Sequence, residues 1–305
     1  MKNLIVDGKN LCFRSSAIDA NLTNSKGEQV SVIYTFLQML RKMLVSHSPD
    51  KVFVVWDGSK SEWRKELYSD YKKKNYDNLS DTTKVMLASI HEQEDVIRNQ
   101  VLPELPIVQL YEGGIEADDI VCAACHVLSR IPNQKTVIAS TDHDFYQLLE
   151  MADIAKDTTS VLYTKEDFEK QFGFSSTEFL FYRAMVGDSS DNIKGVTGIG
   201  EKTAKKILTD YKSLNEFLEM KDVPKEYRQK NLLDEIDVFE RNVKLIDLFT
   251  FPEHSKLMNY FIRVYNDSSP KFKQQEFKQY LMVNKMFSIL GNFNSWKKPF
   301  IRLGV

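Results

Sequence analysis

The stretch Lys51–Gly58, KVFVVWDG, places an aspartate and a glycine directly after five apolar residues. A short continuous apolar run bounded by a turn signal reads as a β-strand. The pattern recurs: Leu4, Ile5 and Val6 precede Asp7, and TVIAST over 136–141 leads to Asp142. In an open parallel sheet the carboxyl ends of the strands line one crevice, where ligands bind. More acids gather in short clusters, Glu116, Asp118 and Asp119 in EADD, Asp142 and Asp144 in STDHD, and Asp188 and Asp191 in GDSSDN; with Asp7 and Asp57 they make nine carboxylates. Two like charges ~4 Å apart repel by ~4 kcal/mol at an effective dielectric of ~20, so a shared crevice calls for hard cations. All-oxygen ligation points to magnesium or manganese rather than zinc.

Strand candidates are Asn3–Val6, Lys51–Trp56, Ile107–Tyr111, Lys135–Ser140 and a weaker Val161–Tyr163, with helical patterns at Val30–Val45, Thr82–Val101 and Ala117–Ser129. Strand, crossover helix, strand predicts an α/β chain with a central, mostly parallel sheet flanked by helices. From about Thr177 the strand signal fades into helices with short polar joints. An α/β part over 1–180 and a helical part over 181–305 are therefore expected, packed as one body. The connection Ser59–Leu102 is long and rich in Lys, Tyr and Asp. Long connections in compact domains tend to be functional, and this one reads as a mainly helical flap over the strand ends. Tyr68, Tyr71 and Tyr76 in it are candidates to stack on unpaired bases.

The chain of 305 residues has ample length for a core, and its net charge of -2 and pI near 6.3 carry no global nucleic-acid signature. The basic residues are bunched: Lys60, Arg64, Lys65, Lys72, Lys73 and Lys74 in one stretch, Lys202, Lys205, Lys206 and Lys212 in another. A neutral average can hide an acidic centre with basic flanks. The N-terminus runs straight into a strand, unlike a signal peptide, and no apolar stretch approaches the ~20 residues that span a bilayer. A soluble, cytoplasmic, monomeric protein without membrane contact is expected. Cys12, Cys122 and Cys125 are too few for a disulfide framework. Cys122 and Cys125 sit at i, i+3 in the apolar IVCAACHVL and read as core packing, since free Cys behaves as a small hydrophobe.

Each acidic cluster has a plain alternative. Acids in the first turn of a helix are favoured by its dipole, which would account for Asp118 and Asp119. Gly113 and Gly114 upstream, and Glu116 and Asp119 on one face at i, i+3, suit metal ligation better. STDHD holds ordinary N-cap residues, but it comes after a strand and precedes the helical FYQLLE; His143 between the two aspartates reads as a spacer. GDSSDN could be a simple turn. It leads, however, into GVTGIGEKTAKKIL, residues 195–208, where Gly195, Gly198 and Gly200 open into an amphipathic helix with Lys202, Lys205 and Lys206. Glycine turns at a helix N-terminus bind phosphate. The P-loop spacing is absent, so a clamp on duplex backbone fits better.

Taken together, IVDG, WDG, Arg64-x-x-Leu67-x-x-x-Tyr71-Lys72, EADD, STDHDFYQLL, GDSSDNI and GVTGIGEKTA stand in the order found in the 5′ nuclease superfamily. The chain resembles the 5′-3′ exonucleases and flap endonucleases of phages and the 5′ nuclease domain of bacterial DNA polymerase I, over about residues 3–210. The resemblance implies a PIN-like α/β fold with a helical arch over about 59–102 and a helix–three-turn–helix at about 195–208. It implies two Mg2+, replaceable by Mn2+. One would be held by Asp7, Asp57, Glu116, Asp118 or Asp119, and Asp142, and the other by Asp144, Asp188 and Asp191. It also implies catalytic roles for Lys72, at the phosphate in the transition state, and Arg64, positioning the phosphate. DNA contacts would come from Tyr71, Gly195, Gly198, Gly200, Lys202, Lys205 and Lys206, with a K+ cradled by backbone carbonyls at Gly195–Ile207. Lys194 departs from the family, where many bacterial members carry Pro.

The expected activity is a metal-dependent 5′ nuclease on flaps, nicked or gapped duplex and RNA primers, with ribonuclease H activity on RNA–DNA hybrid, working beside a replication protein in a bacterial or phage-infected cell. A sheet-based ribonuclease for single-stranded RNA would not need GVTGIGEKTA or the Arg64–Lys72 stretch. A silent DNA-binding protein would have no use for the clustered carboxylates. LIDLF (Leu245–Phe249) has a faint likeness to sliding-clamp binding peptides but reads as core. FNSWKKPFIRLGV at the C-terminus lacks periodicity and is a candidate partner-binding tail.

Overall fold

The computed structural model describes residues 1–17, 22–58, 61–73, 79–211 and 214–304. Ser59, Lys60, Lys74, Tyr76 and Lys212, named above, lie outside the described residues. Strands β1 (Lys2–Asp7), β2 (Lys51–Val55), β3 (Val108–Leu110), β4 (Lys135–Ala139) and β5 (Asp153–Ala155) form one sheet in the order β3-β2-β1-β4-β5. Every neighbouring pair is parallel. The chain leaves β1 toward β2 on one side and places β4 on the other, so the carboxyl ends of β1 and β4 flank a topological switch point.

Both sheet faces are covered, which is why the strands read as unbroken apolar runs. Successive side chains alternate: Leu4, Val6, Val52, Val54, Val137 and Ala139 enter one core, and Ile5, Phe53, Val55 and Ile138 the other. The first core is closed by α1 (Gly8–Ser16), α2 (Ser31–His47) and, beyond the short α3 (Glu62–Leu67), by α4 (Asp81–Val96), which continues as a π-helical turn over Ile97–Val101. The second is closed by α5 (Ala117–Ser129), apolar all round, and by α6 (Lys165–Phe172) and α7 (Phe179–Val186).

Next in the chain come a two-stranded antiparallel hairpin, β6 (Gly187–Asp188) and β7 (Ile193–Lys194), then α8 (Glu201–Asp210), α9 (Leu214–Glu219), α10 (Gln229–Asp234), α11 (Ile236–Ile246) and α12 (His254–Asp267). α12 lies against the second core through Leu257 and Phe261. The chain ends in α13 (Gln274–Val283), α14 (Phe287–Gly291), α15 (Phe293–Trp296) and α16 (Lys298–Ile301). No helix among the described residues is long and apolar enough to cross a membrane.

Four sequence expectations are corrected. The helix α1 and strand β5 were not anticipated, and Val161–Tyr163 is no strand: only Tyr163 bridges Ile154. The later half of the Ser59–Leu102 connection is not a free-standing flap. Ile90, Ile97 and Val101 are buried in the first core, and Gln93 Oε1 accepts from the Val32 amide at 2.9 Å, capping α2. The region after 181 is not one helical part, because α13–α16 return to α2 on the sheet. Nor is the C-terminus a tail awaiting a partner: Phe293, Trp296 and Phe300 are buried, and the Trp296 indole donates to Gln38. In LIDLF, Leu245, Ile246 and Leu248 are core residues.

Candidate active site

The switch point carries the first group of acids. Asp7 ends β1 and caps α1, its Oδ1 accepting from the Asn10 amide at 3.0 Å. Ser140, just past β4, donates to Asp7 Oδ2 at 3.0 Å and accepts from the Asp142 amide at 3.0 Å. Burial, with Asp142 and Asp57 close by, holds the Asp7 carboxyl up at about 7. Burial, then Asp142 and Asp7, raises Asp118 well above the usual range. For Asp57 burial is overcome by Lys9, whose Nζ lies 2.8 Å from Oδ2, and by the Ala117 amide on Oδ1, so this carboxylate stays low. Lys9 was missed in the sequence; its signal is a lysine two residues after a strand-end aspartate.

The second group comes from the turn after β4 and from the hairpin. Asp144, Asp188 and Asp191 can each direct one carboxylate oxygen into a space where all three lie within 4.8 Å of one another. The hairpin reaches this place because two glycines let it pass close to α7. Gly187 has φ +85°, and a Cβ there would stand 2.4 Å from the Gly195 nitrogen; a Cβ on Gly195 would stand 2.2 Å from the Val186 carbonyl oxygen. Buried Asn242 holds the arrangement, its amide donating to the carbonyls of Ala184 at 2.9 Å and Lys194 at 2.8 Å. Arg183 pairs with Asp188 and lies 3.5 Å from Asp144 Oδ1. It too was missed, although a lone charge inside the apolar FLFYRAMV must find a partner when buried.

Between the two groups sits the first part of the 59–102 connection. Residues 68–73 dock on the hairpin turn: the Lys72 amide donates to the Asp191 carbonyl at 2.8 Å, and Asn192 donates to the Asp70 carbonyl at 2.9 Å. Lys72 has φ +47°. Its Nζ bridges Glu116 Oε2 at 3.2 Å and Asp191 Oδ2 at 3.5 Å. Burial works against this ammonium, but Glu116, Tyr71 and Asp191 raise its pKa, so it stays charged.

Three expected site residues meet in one buried network here. Arg64 is 2% exposed. Its guanidinium takes both oxygens of Asp119 at 2.7 Å, reaches Glu116 at 3.2 Å and donates to the Leu245 carbonyl at 2.9 Å. Asp119, 0% exposed, turns both of its oxygens to Arg64. Tyr71 is 3% exposed with its hydroxyl donating to Glu116 at 2.8 Å, so it cannot stack on a base; Tyr68 lies instead beneath Arg241, 4.3 Å from the ring centre. Glu116 is the hub of this network: Oε2 also accepts from Lys72, and Oε1 accepts from the Ser61 amide at 3.3 Å.

The glycine turn and α8 stand beyond the hairpin. Gly198 has φ +80°, Gly200 caps α8, and Asn231 and Glu235 brace the turn by bonding the Thr197 carbonyl and amide. Lys202, Lys205 and Lys206 are exposed. Lys205 donates to the Gln171 carbonyl at 2.8 Å, and Lys206 lies 3.4 Å from Glu226 and over the Tyr227 ring. His143 stacks on Tyr146, and Cys122 and Cys125 are buried free thiols.

A divalent cation suits the second group of acids. Asp144 Oδ1 is buried and makes no hydrogen bond. Burial and Asp142 push the Asp144 carboxyl up to about 7, and burial brings Asp191 to about 6. Without metal, these two and Asp7 bind protons more tightly folded than unfolded, where the value is 3.8. Their contribution is therefore full below about pH 4 and lost as pH rises through about 7. A folded value one pH unit above the unfolded one is worth ~1.4 kcal/mol. The Tm of EDTA-treated protein should fall by several degrees between pH 5 and 8, and saturating Mg2+ should raise it more at pH 8 than at pH 5. A metal effect equal at both pH values would contradict this assignment of the acids.

The chain matches the 5′-3′ exonuclease family over residues 2–173, its N-terminal resolvase-like domain, and over residues 174–258, its C-terminal SAM fold. It is 33% identical over 252 residues to the 5′-3′ exonuclease of Aquifex aeolicus, covering 82% of this chain and 83% of that protein. It is 30% identical over 269 residues to the flap endonuclease Xni of Shewanella loihica, covering 86% and 97%. Identity to the thermostable DNA polymerase I of Thermus thermophilus is 33% over 229 residues, covering 74% of this chain; the chain spans 26% of the polymerase's length. In fold it is similar to the bacteriophage T5 flap endonuclease, solved as a pseudo-enzyme-product complex with DNA and metal ions: TM-score 0.71, 21% identity, 88% of this chain and 100% of that chain. Parallel sheet, acidic switch point and both matched regions agree, and the chain belongs to the 5′-3′ exonuclease family.

Proposed function

We propose that the chain is a divalent-metal-dependent 5′ nuclease that hydrolyses phosphodiesters of 5′ flaps, of nicked or gapped duplex DNA and of RNA primers paired to DNA, in replication or repair. The observation that carries this reading is the meeting of Asp144, Asp188 and Asp191 within 4.8 Å, with Lys72 spanning Glu116 and Asp191 at their edge. Asp144, Asp188 and Asp191 would hold one ion, and Asp7, Asp118 and Asp142 another. Bound there, the ions supply Lewis-acid stabilisation of charge at the scissile phosphate. Lys72 adds a fixed positive charge beside that phosphate. The turn at Gly195–Gly200 and the start of α8 grip the duplex backbone without reading sequence. Digestion of 5′-labelled flap, nicked-duplex and RNA–DNA hybrid substrates, each with Mg2+ or EDTA, tests the reading. Metal-dependent cuts near the junction or 5′ end are expected on all three. Failure to cut any of them would overturn it, and preference for unpaired RNA would favour a single-strand ribonuclease.

Lys72→Ala should lower kcat by roughly 10²-fold, the scale of removing one preorganised electrostatic contact to the transition state, with KM changed by less than about threefold. Steady-state kinetics on a flap checks this. A change confined to KM would make Lys72 a grip on the substrate instead.

A further inference from the structure

The acidic crevice lies at the carboxyl ends of the strands, and the last helices bring a run of lysines and arginines toward the opposite edge, where Asp50, Glu104 and Asp153 also stand. In a chain of net charge -2, residues 259–305 carry eight Lys and Arg against only Asp267 and Glu276. This segment lies beyond the family match, which ends at residue 258. Its fold explains where the charges go. Phe277, Trp296 and Phe300 stack inward on one another. Lys297 donates to Gln274 and ties the start of α16 to the start of α13. Lys278, one turn along α13, and Lys298 and Arg302, one turn apart at the end of the chain, are left exposed.

The segment runs toward the amino ends of the strands. The Arg41 guanidinium on α2 donates to the Trp296 carbonyl, and further along the chain Leu303 shares a hollow with Lys51, Val52 and Lys271. Lys51 begins β2 beside Asn3, and Lys2 and Lys135 lie opposite each other at the start of β1 and β4. Among the described residues, Lys273 alone in the 259–304 segment makes an ion pair, with Glu104. Among the described residues, Lys271, Lys278, Lys298 and Arg302 pair with no acid, and all four are exposed.

Strands of five and six residues, at ~3.3 Å per residue, separate this face from the acids by roughly 20 Å. A phosphodiester held among the acids therefore cannot also touch it. We propose that α13, α16 and the amino edge of the sheet form a second, metal-independent face for the phosphate backbone of a nucleic-acid duplex. It would hold a DNA segment away from the cut site, and it would do so without sequence preference, because lysine contacts to phosphate position without reading bases.

The test uses the whole chain in EDTA with a hairpin-capped duplex of about 24 bp, long enough to cross a face of this size at ~3.4 Å per base pair, that has no flap, nick or free 5′ end at its stem. Fluorescence anisotropy is followed from about 50 to about 200 mM salt for the parent and for K271A/K278A/K298A/R302A. Each phosphate that is no longer neutralised should reduce the slope of log K against log salt by ~0.9. The variant should bind at least about tenfold more weakly at the lower salt, with a slope shallower by about 3.6. Its circular dichroism and its Mg2+-dependent cleavage of a flap with short arms control for folding. Unchanged affinity and slope would overturn the proposal. So would loss of binding to polyglutamate with retention of duplex binding, which would give the face to an acidic protein. Because neither free 5′ ends nor metal enter the measurement, absence of nuclease activity would not decide its outcome.

Discussion

Asp144→Asn should lower single-turnover cleavage of a 5′ flap by roughly three orders of magnitude, about 4 kcal/mol of barrier, while leaving duplex binding in Ca2+ within a few-fold of the parent. The substitution keeps shape and removes charge at a carboxylate of the three-acid cluster whose largest charge neighbour is Asp142 from the other group. Its Oδ1 is buried without a hydrogen bond, with Arg183 Nε 3.5 Å away, so an amide gives up that ion pair but leaves no hydrogen bond broken. Repulsion among Asp142, Asp144, Asp188 and Asp191 falls when one becomes neutral. The metal-free variant should therefore match or exceed the parent's Tm at pH 8. Lower activity with higher metal-free stability is the signature of a group placed for a cation against its own folding preference. Turnover within about tenfold of the parent at limiting Mg2+ would remove Asp144 from the site.

How far such a site can be read in sequence depends on whether a residue's partner is local. Asp7, Asp57 and Asp142 come after apolar runs whose period and length declare strands, and a parallel sheet sends all strand ends to one edge. α5 is legible to its terminal residues because EADD and the apolar run after it carry a start and a content signal together. α1 is not, since GKNLCFRSS is short and mixed and its cap is Asp7, already assigned to chemistry. β5 is three residues long and gains its place by pairing with β4 and by the bridge from Ile154 to Tyr163. The C-terminal FNSWKKPF has no clean period because its helices are single turns, each burying one or two aromatic residues. Arg64, Asp119 and Tyr71 show the deeper limit. Their spacing in the chain is the same whether they meet a substrate or one another, and only the packing of residues 61–71 against the start of α5 brings them together.

That limit makes Arg64 the most informative residue for stability. Arg64→Ala should destabilise the protein by ~3–5 kcal/mol, because removing one partner of a buried pair strands the other's charge. For a chain of this size the loss corresponds to a Tm drop on the order of 10 °C. Asp119 would keep its burial without either of its 2.7 Å contacts, and the Leu245 carbonyl would lose its donor. Burial already raises the Asp119 carboxyl despite Arg64; without the guanidinium it would rise further. A folded-state value above the unfolded one favours the fold at low pH and is lost as pH climbs, so the penalty should be smaller at pH 5 than at pH 8. Arg64→Lys should recover only part of it, since an ammonium cannot make the bidentate pair. Combining Arg64→Met with Asp119→Leu should recover most of it, as replacing both members of a buried pair by apolar groups is often near neutral. Calorimetry across pH and single-turnover kinetics well below the Tm separate the two roles open to this arginine. A large Tm loss with cleavage by the folded protein within about tenfold of the parent is the expected result. An unchanged Tm with a collapse in kcat would return Arg64 to the phosphate, and would mean that α3 moves off Asp119 when substrate binds.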